Sequence, residues 1–166
     1  MNYFFDMDGT LAVYEREAYV SGPFWYEDLR NIHYFRGLPE IKRSVECFDR
    51  LLSYDPSSVY VITDVSVPDE AIYYEMATDK IMWLSERFKN FLPEHFFIIN
   101  CLNNKKKLTK AEAAQKILSR PLCKDDILYD DYNGNLLAWK DAGGTPVKVL
   151  NGLNQSRDDM QCVAVW

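Results

Sequence analysis

Apolar and polar positions follow one another in blocks along the chain, and the blocks differ in period. Short apolar runs rich in aromatic and β-branched residues read as strands: Phe4–Phe5, Val59–Ile62, Phe96–Ile99, Ile127–Tyr129 and Pro146–Leu150. Between them the apolar residues recur at helical spacing. Pro39–Glu40 opens a helix, since Pro is favoured in a first turn, and Ile41, Val45, Phe48, Leu51 and Leu52 give it a stripe. Pro68 to Phe91 reads as helical, in one piece or two, with Ile81, Leu84 and Phe88 on one side. Thr109 caps a helix running to about Ser119, with Glu112 placed as in a capping box. Leu136 to Asp141 is a short helix closed by Gly143–Gly144.

Strands alternating with helices call for a Rossmann-like parallel sheet flanked by helices on both faces. Residues 12–38 break the pattern. They mix Tyr14, Tyr19, Phe24, Trp25, Tyr26, Tyr34 and Phe35 with charges and have no clean period, which reads as a small cap inserted after the first strand. The expected organisation is a single α/β core over 1–152, with the cap insert at about 12–38 and a C-terminal tail over 153–166. Within that tail Val163–Trp166 is a candidate for a returning edge strand.

Composition changes this picture little but narrows the partners. A net charge of −6 over 166 residues excludes a broad nucleic-acid-binding surface, which needs clustered Lys and Arg. A small anionic substrate stays open, because a metal and one or two lysines reverse the local field. The four cysteines (Cys47, Cys101, Cys123, Cys162) form no Cys-x-x-Cys pair. No basic-then-apolar leader stands at the N-terminus, and no apolar stretch approaches the roughly 20 residues a membrane helix needs. A reduced, cytoplasmic protein with no membrane partner is the expectation.

In parallel sheets ligands bind beyond the carboxyl ends of the strands, so the polar residues found there carry the candidate chemistry. The first strand runs into Asp6–Met7–Asp8–Gly9–Thr10. Two carboxylates so close repel each other unless a cation or a shared proton intervenes, and Mg2+ is the hard ion such oxygens hold. A solvated turn is the ordinary alternative, since Asp and Gly are turn residues. The second strand ends at Thr63–Asp64 and the fourth at Asp130–Asp131, which repeats the paired-carboxylate arrangement. After the third comes Asn103–Asn104–Lys105–Lys106–Lys107, where Lys105 is the candidate cation, with Lys80 its rival.

Taken in order, Asp6/Asp8, Thr63, Lys105 and Asp130/Asp131 resemble the four motifs of the haloacid dehalogenase superfamily. Asp6–Tyr14, Gly37–Leu38–Pro39, Lys80–Leu84 and Ile127 through Trp139 to Gly143–Gly144 are similar to the 5′(3′)-deoxyribonucleotidase group within it. The resemblance implies a haloacid dehalogenase-like fold and a Mg2+-dependent phosphatase. It makes Asp6 the nucleophile and Asp8 the general acid and base, with Thr63 and Lys105 holding phosphate. Mg2+ is then held by Asp6, the Asp8 backbone carbonyl and the Asp130–Asp131 pair, of which Asp131 is favoured. Tyr14, Phe24 and Trp25 fall where that group packs rings on a nucleobase, although rings there equally make a cap core. Asp64 stands where these nucleotidases usually carry a small or hydroxyl residue, and a carboxylate opposes phosphate unless it points away. The expected substrate is a small phosphorylated molecule, a nucleoside monophosphate above all, and a homodimer is an open expectation. The alternatives are a phosphatase for sugar phosphates or nucleic-acid 3′ ends, or a phosphate-binding protein without turnover.

Overall fold

The computed structural model describes residues 1–14, 33–65, 67, 69–100 and 108–151, with the Asn100 side chain left aside. Phe24, Trp25, Lys105 and the tail from residue 152 lie outside the described residues, as does the candidate strand Val163–Trp166. Among those described, five parallel strands form one sheet: β1 (Asn2–Phe5), β2 (Val59–Val65), β3 (Phe96–Asn100), β4 (Asp126–Asp130) and β5 (Thr145–Lys148). Their order across the sheet is β3-β2-β1-β4-β5. The α-helices among the described residues are α1 (Tyr34–Gly37), α2 (Lys42–Tyr54), α3 (Glu70–Arg87), α4 (Lys110–Leu118) and α5 (Asn133–Asp141). No helix among the described residues is long and apolar enough to cross a membrane.

The chain winds outward from β1 through β2 to β3, then returns to the other side of β1 for β4 and β5. Because parallel crossovers keep one hand, reversing the direction of winding moves the connecting helices to the opposite face. The two cores divide in that way. Phe5, Val59, Val61 and Tyr129 pack with Phe48 and Leu52 of α2 and with Met76, Trp83 and Leu84 of α3. Phe4, Ile62, Ile99 and Leu128 pack with Ala111 and Ala114 of α4 and with Leu136 and Trp139 of α5. Side-chain alternation makes the assignment. Phe5 stacks on Tyr129 at 4.3 Å on one face, and Phe4 stacks on Tyr60 at 4.8 Å on the other.

Several expected elements need correction at their ends. Pro39–Glu40 does not open α2: Glu40 is bridged to Ala12, and Ile41 is the extended residue that precedes the helix. The segment expected to be helical in one piece or two holds the single 18-residue α3, begun by Asp69, whose carboxylate accepts from the Ile72 amide. Nothing within α3 breaks it, for it contains neither Gly nor Pro. The Thr109 capping box forms as expected, with Glu112 N donating to Thr109 Oγ1 and Thr109 N to Glu112 Oε2. Helix α5 starts at Asn133, three residues before the apolar stripe begins. Its end is fixed by packing: a Cβ at Gly144 would lie 2.2 Å from Trp139 Nε1, the group that donates to the Asp126 carbonyl. At that amino end of β4, Asp126 is buried. Burial works against its charge, but hydrogen bonds from Arg120, Asn2 and the Cys123 amide outweigh this and hold the carboxyl below the usual range.

The reversal of winding falls between β1 and β4. A crevice outside the carboxyl ends of these two strands is the place where such sheets take ligands.

Candidate active site

β1 delivers Asp6 directly to that end of the sheet. The Asp6 amide donates to the Tyr129 carbonyl at 2.9 Å, which carries the β1–β4 pairing one residue past the strand. From there the chain turns tightly, with the Met7 carbonyl accepting from the amides of Thr10, Leu11 and Ala12. Gly9 is required twice over in this turn. Its φ of 77° is left-handed, and a Cβ there would lie 2.2 Å from Asp131 Oδ2. The turn sends Asp6 and Asp8 in different directions.

Asp6 joins Asp130 and Asp131. One carboxylate oxygen from each lies within 4.8 Å of the others, and all three residues are buried. Asp6 Oδ1 accepts from the Met7 amide and from Lys110 Nζ, both at 2.8 Å, and among the described residues nothing donates to Oδ2. Asp130 takes the Tyr132 amide on Oδ1, and Lys110 Nζ and Asn135 Nδ2 on Oδ2, which leaves acceptor capacity on Oδ1. Asp131 Oδ2 accepts from Asn151 Nδ2, which also donates to the Gly9 carbonyl.

The electrostatics of the trio follow from burial. Desolvation, then the neighbouring charges of Asp6 and Asp130, push the Asp131 carboxyl up to about 7. Desolvation raises Asp130 as well, against the pull of Lys110. Burial works against the Lys110 charge, but the carboxylates of Asp130 and Asp6 outweigh it and hold the ammonium above the usual lysine range. With one lysine facing three buried carboxylates, negative charge is in excess.

A divalent cation fits this excess. The donor set is carboxylate oxygen throughout, which suits a hard ion such as Mg2+ rather than a thiophilic one. Asp6, Asp130 and Asp131 would hold it, whereas the Asp8 carboxylate stands outside the group. A consequence can be measured without substrate. A carboxyl raised in the folded state contributes stability that is fully present below its unfolded pKa, near 4, and lost as the pH climbs through its folded value. In metal-free protein the Asp131 contribution is therefore lost between about pH 4 and 7, with a slope of at most about 1.4 kcal/mol per pH unit for one proton. Urea titrations in EDTA should show that decline in the wild type and a shallower one in Asp131→Asn. Equal slopes would exclude a raised Asp131 carboxyl.

Asp8 turns to a second centre built on Lys80. This lysine is fully buried in the middle of α3, and its Nζ bonds Asp8 Oδ2 at 2.5 Å, Thr63 Oγ1 at 2.9 Å and the Asp64 carbonyl at 2.8 Å. Among the described residues Asp8 Oδ1 is buried without a partner, as is Thr10 Oγ1. Burial foremost, opposed by Lys80 and reinforced by Asp6, raises the Asp8 carboxyl. β2 runs on through Val65, so Thr63 and Asp64 lie inside the strand and their side chains take opposite faces. The Asp64 carboxylate therefore points away from the side where Thr63 meets Lys80. The Phe35 ring covers Lys80 Nζ at 4.6 Å, and Tyr14 packs on Phe35 and Tyr34 at 6.1 and 5.9 Å between ring centres.

Of the residues expected from the sequence, Asp6, Asp130 and Asp131 come together, Asp8 meets Thr63 through Lys80, and Tyr14 borders that second centre. Lys105, Phe24 and Trp25 lie outside the described residues. Lys110 was not expected at the site. Its signal is its spacing, since it stands four residues before the buried Ala114 and so shares its side of α4. No family model matches the chain, and no curated protein matches it.

Proposed function

We propose that this chain is a Mg2+-dependent phosphomonoester hydrolase working through an aspartyl-phosphate on Asp6, of the haloacid dehalogenase type that its motifs resemble. The observation that carries the reading is the pairing of two opposite centres at the strand-order reversal. A buried carboxylate trio suited to a cation lies beside a buried ammonium and hydroxyl, Lys80 and Thr63, suited to phosphate oxygens. Asp6 Oδ2 attacks phosphorus, and the bond from phosphorus to the ester oxygen breaks. Asp8, whose carboxyl burial favours in the protonated form, gives its proton to the departing alkoxide. The Asp8 carboxylate then takes a proton from water as that water attacks phosphorus, which releases phosphate and restores Asp6. Lys80 and Thr63 steady the transferring oxygens, and Lys110 fixes the orientation of Asp6. Mg2+, when bound, offsets the repulsion between phosphate and nucleophile.

Nucleoside monophosphates are the preferred substrates in this reading, since Phe35 covers Lys80 and the half-buried Tyr14 packs on Phe35, which puts an aromatic ring near that centre for a base. Phosphate release should be assayed with Mg2+ on nucleoside monophosphates, sugar phosphates, glycerol phosphate and a 3′-phosphorylated oligonucleotide. The expected result is EDTA-sensitive turnover, with nucleotides ahead of glycerol phosphate by at least about tenfold in kcat/KM, the share of one base–aromatic stack. No release from any ester would overturn the enzymatic reading. Equal rates on nucleotide and glycerol phosphate would overturn the nucleotide preference alone.

A further inference from the structure

Lys148 is buried, with 4% of its surface exposed, and the chemistry just proposed makes no use of it. It is the last residue of β5 and stands in register beside Asp130. Val147 and Val149 belong to the core on the α2 and α3 side, so alternation turns Lys148 to the α4 and α5 side, as it does Asp130. An ion pair between these register neighbours would be the ordinary arrangement. Asp130, however, already accepts from Lys110, Asn135 and the Tyr132 amide. The Lys148 ammonium reaches past it and donates to the Asp131 carbonyl and, at 2.8 Å, to Asn133 Oδ1. Both acceptors are neutral. Taking an ammonium out of water is costly, and among the described residues no carboxylate in direct contact offsets it.

What those two bonds achieve is geometric. They tie together the two ends of Asp131–Tyr132–Asn133, the turn that joins β4 to α5. A donor bridging the Asp131 carbonyl and the Asn133 side chain fixes the backbone at Asp131 and with it the direction of its carboxylate. We propose that Lys148 is a positioning residue for the cation site, a clamp on this turn that keeps the Asp131 carboxylate aimed at Asp6 and Asp130. The proposal rests on the cation reading given above. Its two physical effects have opposite signs, which makes them separable. The positive charge of Lys148 opposes a bound cation, whereas its hydrogen bonds organise a ligand.

The test is Mg2+ binding to the full chain by isothermal titration calorimetry, with the Mg2+-induced shift in melting temperature as a second readout. Lys148→Met should weaken Mg2+ roughly tenfold or more, within the roughly 10- to 100-fold range of outer partners that orient metal ligands. Asn133→Ala releases the other end of the clamp at a half-buried position. It should weaken Mg2+ in the same direction, and it decides the matter if Lys148→Met does not fold. Unchanged affinity in either folded variant, or tighter binding in Lys148→Met, overturns the clamp and leaves the cation site standing. A wild-type chain that takes up no Mg2+ overturns both.

Discussion

Asp6→Asn is expected to abolish turnover, by roughly a thousandfold or more, while the fold survives. The substitution keeps the size of the side chain and an oxygen that can accept from the Met7 amide and Lys110, the two donors now on Oδ1. What it removes is the negative oxygen that attacks phosphorus, and an amide is too weak a nucleophile to replace it. The electrostatic balance argues against large damage to stability. Asp6 is among the charges that push Asp131 and Asp130 upward, so neutralising it relieves repulsion even as Lys110 loses one of its two partners. Circular dichroism and thermal melting should therefore show a native fold with a melting temperature within a few degrees of wild type, an interval that corresponds to about 1 kcal/mol in a chain of this size. Wild-type protein quenched during turnover should carry an acid-stable, hydroxylamine-sensitive phosphate that the variant lacks. A folded variant retaining turnover within tenfold of wild type would remove Asp6 from the nucleophilic role.

How much of this was legible in the sequence depends on whether the controlling interactions are local. The strands could be read because β-branched and aromatic runs have few other uses, and the Thr109 capping box because its residues lie three apart. The gathering of Asp6, Asp130 and Asp131 followed from one rule, that parallel strands bring their carboxyl ends to one edge. The start of α2 was misplaced because Glu40 is held by a bridge to Ala12, a partner 28 positions back that no propensity reports. The start of α5 was missed because its first turn, Asn133 to Asn135, is polar and carries no apolar period. The lysines were the hardest. A hydrophobic-pattern reading places every lysine in water, yet Lys80, Lys110 and Lys148 are all buried. Each is drawn in by acceptors distant in sequence: Asp8 for Lys80, Asp6 and Asp130 for Lys110, the Asp131 carbonyl for Lys148. In this chain the carboxylates were visible as motifs and Lys80 as a rival candidate cation, but Lys110 and Lys148 were visible only once the sheet had closed.

Lys110→Met offers the sharpest test of that balance. Its ammonium lies 2.8 Å from Asp6 Oδ1 and 2.7 Å from Asp130 Oδ2, with 4% of its side chain exposed. Methionine fills similar volume but leaves two buried carboxylates without their shared cation, and breaking a buried pair in this way costs about 3–5 kcal/mol. The loss should therefore be large in EDTA at pH 7 and smaller near pH 5, where the orphaned carboxyls can take up protons instead of remaining charged. Magnesium should reverse it. A divalent ion among Asp6, Asp130 and Asp131 replaces the missing charge, so the melting temperature of the variant should rise more on adding Mg2+ than that of the wild type. Activity should not return with stability. Lys110 also holds Asp6 Oδ1 in place so that Oδ2 faces the substrate, and losing such a charged donor costs about a hundredfold or more in turnover. Stability restored by Mg2+ with kcat still depressed is the expected signature. If Lys110→Met melts like the wild type in EDTA and gains no more from Mg2+, Lys110 does not balance the trio, and the case for a cation among these carboxylates weakens with it.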